Sequence, residues 1–182
     1  MFRNTDFLYF LDNNAALPHY SRYHQEGYKE HCLLVVDEVE QKTDDSALLI
    51  AACLHDIAKP RKQTWNKRGE ASFKQHEDVT DEELSQFLTM DDWRFDYVKA
   101  LVLCHMLPIR IAKHEIKNKT IEDACKEIFE RRNIKVMLND KFIADLMLLH
   151  QADVAGSIED REMLKQIKNR CRSAYSLILN LR

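Results

Sequence analysis

The chain has 182 residues and a formal net charge of −3, mixed in sign. That length is ample for a hydrophobic core. The mild acidity gives no electrostatic footprint of a general nucleic-acid binder, although it leaves room for a local basic patch. Three glycines and three prolines are few breakers for a chain rich in Leu, Lys, Glu, Ala and Ile. The expected class is therefore all-α, one domain over 1–182.

A first helix is expected over about 4–16, ending before Pro18. A second runs from about Gly27 to Lys42, with Leu33, Leu34, Val36 and Val39 as its apolar face. A third starts at Asp44 or Asp45 as N-cap and runs through "SALLIAACLHDIA" to Lys59, where Pro60 ends it. Its apolar residues go nearly all the way round, which makes it the most buried helix. Residues 61–75 carry a turn signal at Lys67-Arg68-Gly69 and read as a small hairpin. A fourth helix is placed at about 76–89 and a fifth at about 92–105, followed by an irregular stretch from Met106 to Lys119. Thr120 to Asp123 resembles a capping box opening a helix to about Arg131. Asn139 or Asp140 caps a long helix to about Gly156, and a last helix fills about 157–181. There is no repeat, low-complexity tract or linker.

Gly27, Gly69 and Gly156 are too far apart to build a phosphate-cradling loop, so a P-loop, a dinucleotide GxGxxG and a GxSxG elbow are all absent, as is HExxH. The five cysteines (Cys32, Cys53, Cys104, Cys125, Cys171) form no CxxC pair and read as reduced, mostly buried thiols. "MFRNTDFLYF" has no leader pattern, and no apolar run approaches the roughly 20 residues of a membrane span. The expectation is a cytoplasmic protein with no membrane partner.

Histidines and carboxylates remain as candidates for chemistry. His31 sits in the second helix, His55 and Asp56 end the third, His76 opens the fourth, His105 ends the fifth, and Asp153 lies in the long late helix. Singly, each has an ordinary structural explanation as a cap or a solvated polar group. As an ordered set in or beside strongly apolar helices they point to a metal, because a buried carboxylate is costly unless paired or metal-bound. Imidazole and carboxylate together suit Mn, Fe, Ni, Co or Zn, with Mg as a further candidate, and a bridging carboxylate can hold two ions rather than one.

On these residues the chain resembles the HD superfamily of metal-dependent phosphohydrolases. "HCLLVVDEV" is similar to that family's first-helix pattern, and "ACLHDIAKP" to its HD segment, with Ala58 where glycine is usual. "GEASFKQHEDV", "VKALVLCHMLP" and "LMLLHQADVAGS" resemble the HD domain attached to CCA-adding tRNA nucleotidyltransferases; the likeness covers about 28–157. No nucleotidyltransferase domain precedes it, so a stand-alone HD domain is expected and a tRNA-repair role does not follow. The resemblance implies a helical bundle with a hairpin or loop excursion after the HD motif. It implies His31, His55, Asp56 and Asp153 as metal ligands, with Asp56 bridging if there are two ions. It implies His76 and His105 as ligands of a second ion or as a pair on substrate phosphate. Lys59 matches the basic residue that often faces phosphate. Metal-activated water would attack phosphorus, and His76 or His105 would move the proton to the leaving oxygen.

Arg61 and Arg68 cluster with Lys62 and Lys67 about the hairpin, either as a solvated loop or as a receiver of an anionic substrate. With Lys59 and Arg110 they make up the substrate-binding candidates. Trp65 and Phe73 could stack a base, but they are expected rather to pack the hairpin on the helices. "LPIRIAKHEIKNK" could form a lid presenting Arg110, Lys113 and His114, while His150 shares a helix face with Asp153. His19 and His24 read as surface residues, and "KEIFERR" as a solvated helix face. The preferred function is hydrolysis of a nucleotide phosphomonoester or cyclic phosphodiester, with 2′,3′-cyclic phosphates or 2′-phosphates favoured. The alternatives are a nuclease on single-stranded nucleic acid and a non-catalytic binding module; a (p)ppGpp hydrolase fits less well. The sequence sets no oligomeric state.

Overall fold

A computed structural model describes residues 1–18, 26–67, 69–157 and 164–181. The architecture is mostly helical, with one two-stranded hairpin among the described residues. Helix α1 (Asn4–Asn13) is followed by α2 (Tyr28–Glu40) and α3 (Ser46–Leu54). Asp45 is the cap of α3, its carboxylate accepting from the amides of Ala47 at 2.9 Å and Leu48 at 3.3 Å. Every residue from Ala47 to Leu54 is buried, so the all-round apolar helix is indeed an interior one.

The third helix stops earlier than expected. His55 and Asp56 lie in a tight turn after Leu54, and Lys59 and Pro60 belong to a separate short helix, α4 (Lys59–Lys62). The backbone there tightens to bonds spanning three residues, Ile57 to Leu54 at 3.2 Å and Lys59 to Asp56 at 2.9 Å. The ring of His55 takes the carbonyl of Ala52 at 2.8 Å, the acceptor that a continuing helix would use. Proline fits the first turn of α4, where its missing N–H is no loss.

The hairpin joins β1 (Thr64–Trp65) to β2 (Ala71–Ser72), with Thr64 opposite Ser72 and Trp65 opposite Ala71. Gly69 supplies the positive φ of 75° that its turn requires. His76 does not open a helix. It lies in a turn, and α5 covers only Asp81–Ser85, because a complete Thr80–Glu83 capping box sets its start. Helix α6 (Phe95–Cys104) follows, and the stretch expected to be irregular contains α7 (Leu107–Ala112), with Pro108 accommodated in its first turn. Helix α8 (Ile121–Arg132) opens on the predicted Thr120–Asp123 box and ends at Asn133, φ 50°. Helix α9 (Asp140–Ala155) is capped by Asn139, and α10 (Leu164–Asn180) ends the described chain.

Helix α2 packs on α3, α9 and α10, while α3 also lies against α6. Arg170 of α10 ties to Asp37 and Glu38 of α2 at 2.6 Å each. The interior α3 is therefore walled by α2, α6 and α9, and its C-terminal end is where their functional side chains can meet.

Candidate metal centre

Four imidazoles and two carboxylates converge beyond the end of α3. His31 Nε2 and His55 Nε2 are 3.3 Å apart, and Asp153 Oδ1 lies 3.1 Å from His31 Nε2. Asp56 Oδ2 is 3.2 Å from His55 Nε2 and 3.5 Å from His31 Nε2. On the other side, Asp56 Oδ1 is 3.1 Å from His76 Nε2, which in turn is 3.2 Å from His105 Nε2. The centre thus has two halves that share one carboxylate. His31, His55 and Asp56 form one group able to hold an ion, and Asp56, His76 and His105 another.

The backbone presets the rings. His55, His76 and His105 each direct Nδ1 to the carbonyl three residues back, on Ala52, Phe73 and Val102, at 2.7–2.8 Å. A carbonyl only accepts, so Nδ1 carries a hydrogen and Nε2 is the ring atom left to face the centre. His31 Nδ1 faces two further acceptors, the Gly156 carbonyl at 3.3 Å and Glu26 Oε1 at 3.5 Å. Two Nε2 lone pairs at 3.2–3.3 Å repel unless a proton or a metal ion lies between them. Nitrogens sharing an ion about 2.1 Å away in four-coordinate geometry stand about 3.4 Å apart, close to what is observed.

Asp56 carries the same message. It is 1% exposed and both of its carboxylate oxygens lack a hydrogen-bond partner, although Lys59 Nζ approaches Oδ2 to 2.5 Å. Its pKa is lowered well below the usual carboxylate range: burial opposes the charge, but His55, Lys59 and His76 overcome it. The residues present therefore fit one or two divalent ions.

The halves differ electrically. Burial disfavours protonated His31, yet the Asp153 and Glu26 carboxylates prevail and raise its pKa to about 9. Burial and the neighbouring His76 and His55 push His105 down to about 3. The first half is thus rich in negative charge and the second poor in it. The centre is reached through His76 and Asp153, whose side chains are 12% and 18% exposed.

A cleft of ≈560 Å³ runs from His76 past Lys59, Phe73, Lys74, Arg110 and Lys113. The Lys59 ammonium lies 5.9 Å from the centre of the Phe73 ring. Arg110 sits in the cleft and is held by Glu77 at 3.1 Å and Glu115 at 3.6 Å.

The family profile of the HD domain matches residues 23–151. The chain belongs to the HD domain family. Searches of curated proteins and of solved structures gave no match. The family is one of metal-dependent phosphohydrolases, in keeping with the paired His/Asp groups of this HD domain. Asp153 lies two residues beyond the matched segment and is brought back to His31 by α9.

Several sequence expectations are corrected. Arg61 does not line the cleft: its guanidinium is taken by Glu83 at 2.5 and 3.0 Å and by the Asp78 carbonyl at 3.1 Å. Trp65 does not pack the hairpin down, being 61% exposed, whereas Phe73 lines the cleft. His114 borders a separate recess with Lys117 and Lys119. His150 Nδ1 is buried without a hydrogen-bond partner. Arg68, His19 and His24 lie outside the described residues. Sequence reasoning missed Glu26, 2% exposed beside His31, and Tyr28, whose hydroxyl donates to the Asp56 carbonyl at 3.1 Å. Arg131 and Arg132, expected on a solvated helix face, line a second cleft. Their only sequence signals were positions flanking the Gly27 cap and a helix C-terminus. Among the described residues, no helix is long and apolar enough to cross a membrane.

Proposed function

We propose that this protein hydrolyses a phosphomonoester or cyclic phosphodiester bond of a nucleotide with the help of one or two divalent ions, for which Asp56 would be a ligand. The carrying observation is Asp56 itself, whose two buried carboxylate oxygens face two separate histidine pairs. His31, His55, Asp56 and Asp153 would hold one ion, and Asp56, His76 and His105 the other. When bound, such ions supply Lewis-acid activation of water and neutralise charge at phosphorus.

The chain's own groups do the rest. Lys59, buried at the cleft's inner end, faces the phosphoryl oxygens and stabilises their charge. Arg110, fixed in place by Glu77 and Glu115, contacts the substrate further out. If only one ion is held, His76 and His105 are left to contact the phosphate. His76, the more open of the two, would then take the proton lost by the attacking water at Nε2 and pass it to the leaving oxygen.

The likeness of "GEASFKQHEDV" and "LMLLHQADVAGS" to the HD domains of CCA-adding enzymes supports nucleoside 2′,3′-cyclic phosphates or 2′-phosphates as substrates. Mn, Ni, Co, Fe, Zn and Mg are the metals to try, and the cytoplasm is the proposed compartment. A nuclease on single-stranded nucleic acid is the second reading, favoured by a second recess that shares Gln75, Glu77, Met106 and Arg110 with the first.

The test is 2′,3′-cyclic AMP hydrolysis by metal-stripped protein resupplied with each metal. Metal-dependent turnover that Asp56→Ala reduces at least about 10³-fold supports the reading. No turnover with any metal rejects it for this substrate and promotes the nuclease. Failure to bind metal brings the non-catalytic module forward.

A further inference from the structure

The cleft at His76 does not end at Arg110. A second recess of ≈480 Å³ adjoins it, and the two share Gln75, Glu77, Met106 and Arg110 along their walls. The far wall is the C-terminal end of α8, with Ile128, Arg131 and Arg132. Each recess is of the size that takes one small ligand. A substrate with a single phosphate, bound at His76, fills only the first. At the junction Gln75 has a φ of 60°, a conformation uncommon for a residue other than glycine.

The far recess carries net positive charge. Its two carboxylates are each engaged by an arginine, Glu77 by Arg110 at 3.1 Å and Asp78 by Arg132. Arg131 is exposed and has no ion pair among the described residues. Leu103 and Leu107 give the recess an apolar floor. An apolar floor beside an uncompensated guanidinium suits a nucleotide unit with its phosphate.

We propose that the recess at the end of α8 binds a second phosphate group of the substrate, distal to the one that reacts, with Arg131 as its principal contact. The proposal rests on the phosphohydrolase reading above and narrows the substrate to a nucleotide with a distal phosphate. That phosphate belongs either to a mononucleotide bisphosphate or to the next unit of an oligonucleotide. The competing role for Arg131 is to complement the dipole at the C-terminus of α8, which needs no ligand.

Calorimetric binding to the full chain in EDTA tests it apart from turnover. Adenosine 3′,5′-bisphosphate should bind about tenfold more tightly than 3′-AMP or 5′-AMP. Arg131→Ala and Arg131→Glu should remove that gain, and Arg131→Lys should keep part of it. A parallel comparison of pApA with ApA separates the sources: a larger phosphate gain there assigns an oligonucleotide, a smaller one a mononucleotide. Equal affinities for mono- and bisphosphate, a gain retained in Arg131→Ala, or no binding of any probe overturns the proposal. A melting temperature lowered by Arg131→Ala with the bisphosphate gain intact assigns the dipole role instead. A gain found in protein that shows no metal-dependent turnover overturns the hydrolase reading alone.

Discussion

The two halves of the centre use the same residue type toward opposite ends. His31 and His105 are both fully buried, yet one is pushed up to about 9 and the other down to about 3. Burial lowers both. The difference is the company: Asp153 and Glu26 stand beside His31, whereas His105 faces His76 and His55. Negative charge gathered in the first half favours firm retention of a cation. The second half, with only the shared Asp56 carboxylate and an opening at His76, suits a weaker ion and contact with substrate.

The largest expected effect comes from removing one imidazole at a time. His31→Ala should strip the first ion and weaken binding of the second through Asp56, with kcat/KM falling on the order of 10³-fold. His105→Ala should leave one ion in place and cost about 10²-fold. Metal content per chain, measured beside activity, checks the order; equal ion loss in both variants would erase the distinction between the halves.

Next is Glu26→Gln, which keeps the shape and removes the charge behind His31. Metal affinity should drop about tenfold at the first half, read by competition with a chelating dye. Unchanged affinity would make Glu26 a buried structural group only.

The third effect is on stability against pH in metal-free protein. The raised pKa of His31 contributes stability that is fully present below its unfolded value of about 6.5. That contribution is lost as pH rises through about 9. The depressed pKa of His105 contributes above about 6.5 and is lost as pH falls toward about 3. Urea unfolding in EDTA should therefore show these two groups favouring a maximum near pH 6.5, and saturating metal should flatten the alkaline limb. No decline between pH 7 and 9.5 without metal would remove the electrostatic distinction.

The smallest effect is assigned to Arg61→Ala. Its exposed pair with Glu83 is worth less than about 1 kcal/mol, and kcat/KM should not change. A raised KM would return Arg61 to the substrate path.

The parts of the fold set by local chemistry were legible. The Asp45 cap, the Thr120–Asp123 box and the all-round apolar run of α3 are short-range signals, and each is found where the sequence put it. The end of α3 was not legible, because it depends on the His55 ring taking the Ala52 carbonyl. The short span of α5 is not legible either, because polar residues after the hairpin form a turn before the Thr80 box.

By itself, the sequence determined a helical chain carrying an ordered set of six His and Asp residues, and those six do converge. Only the tertiary structure decided which cations face the cleft and which are tied off elsewhere. Arg61 meets Glu83 from 22 positions away, Glu26 is folded in behind His31, and Arg131 and Arg132 arrive at the rim on α8. Residue type and spacing constrain a helix face over a few turns. The partner that neutralises a charge is chosen by packing between elements distant in sequence.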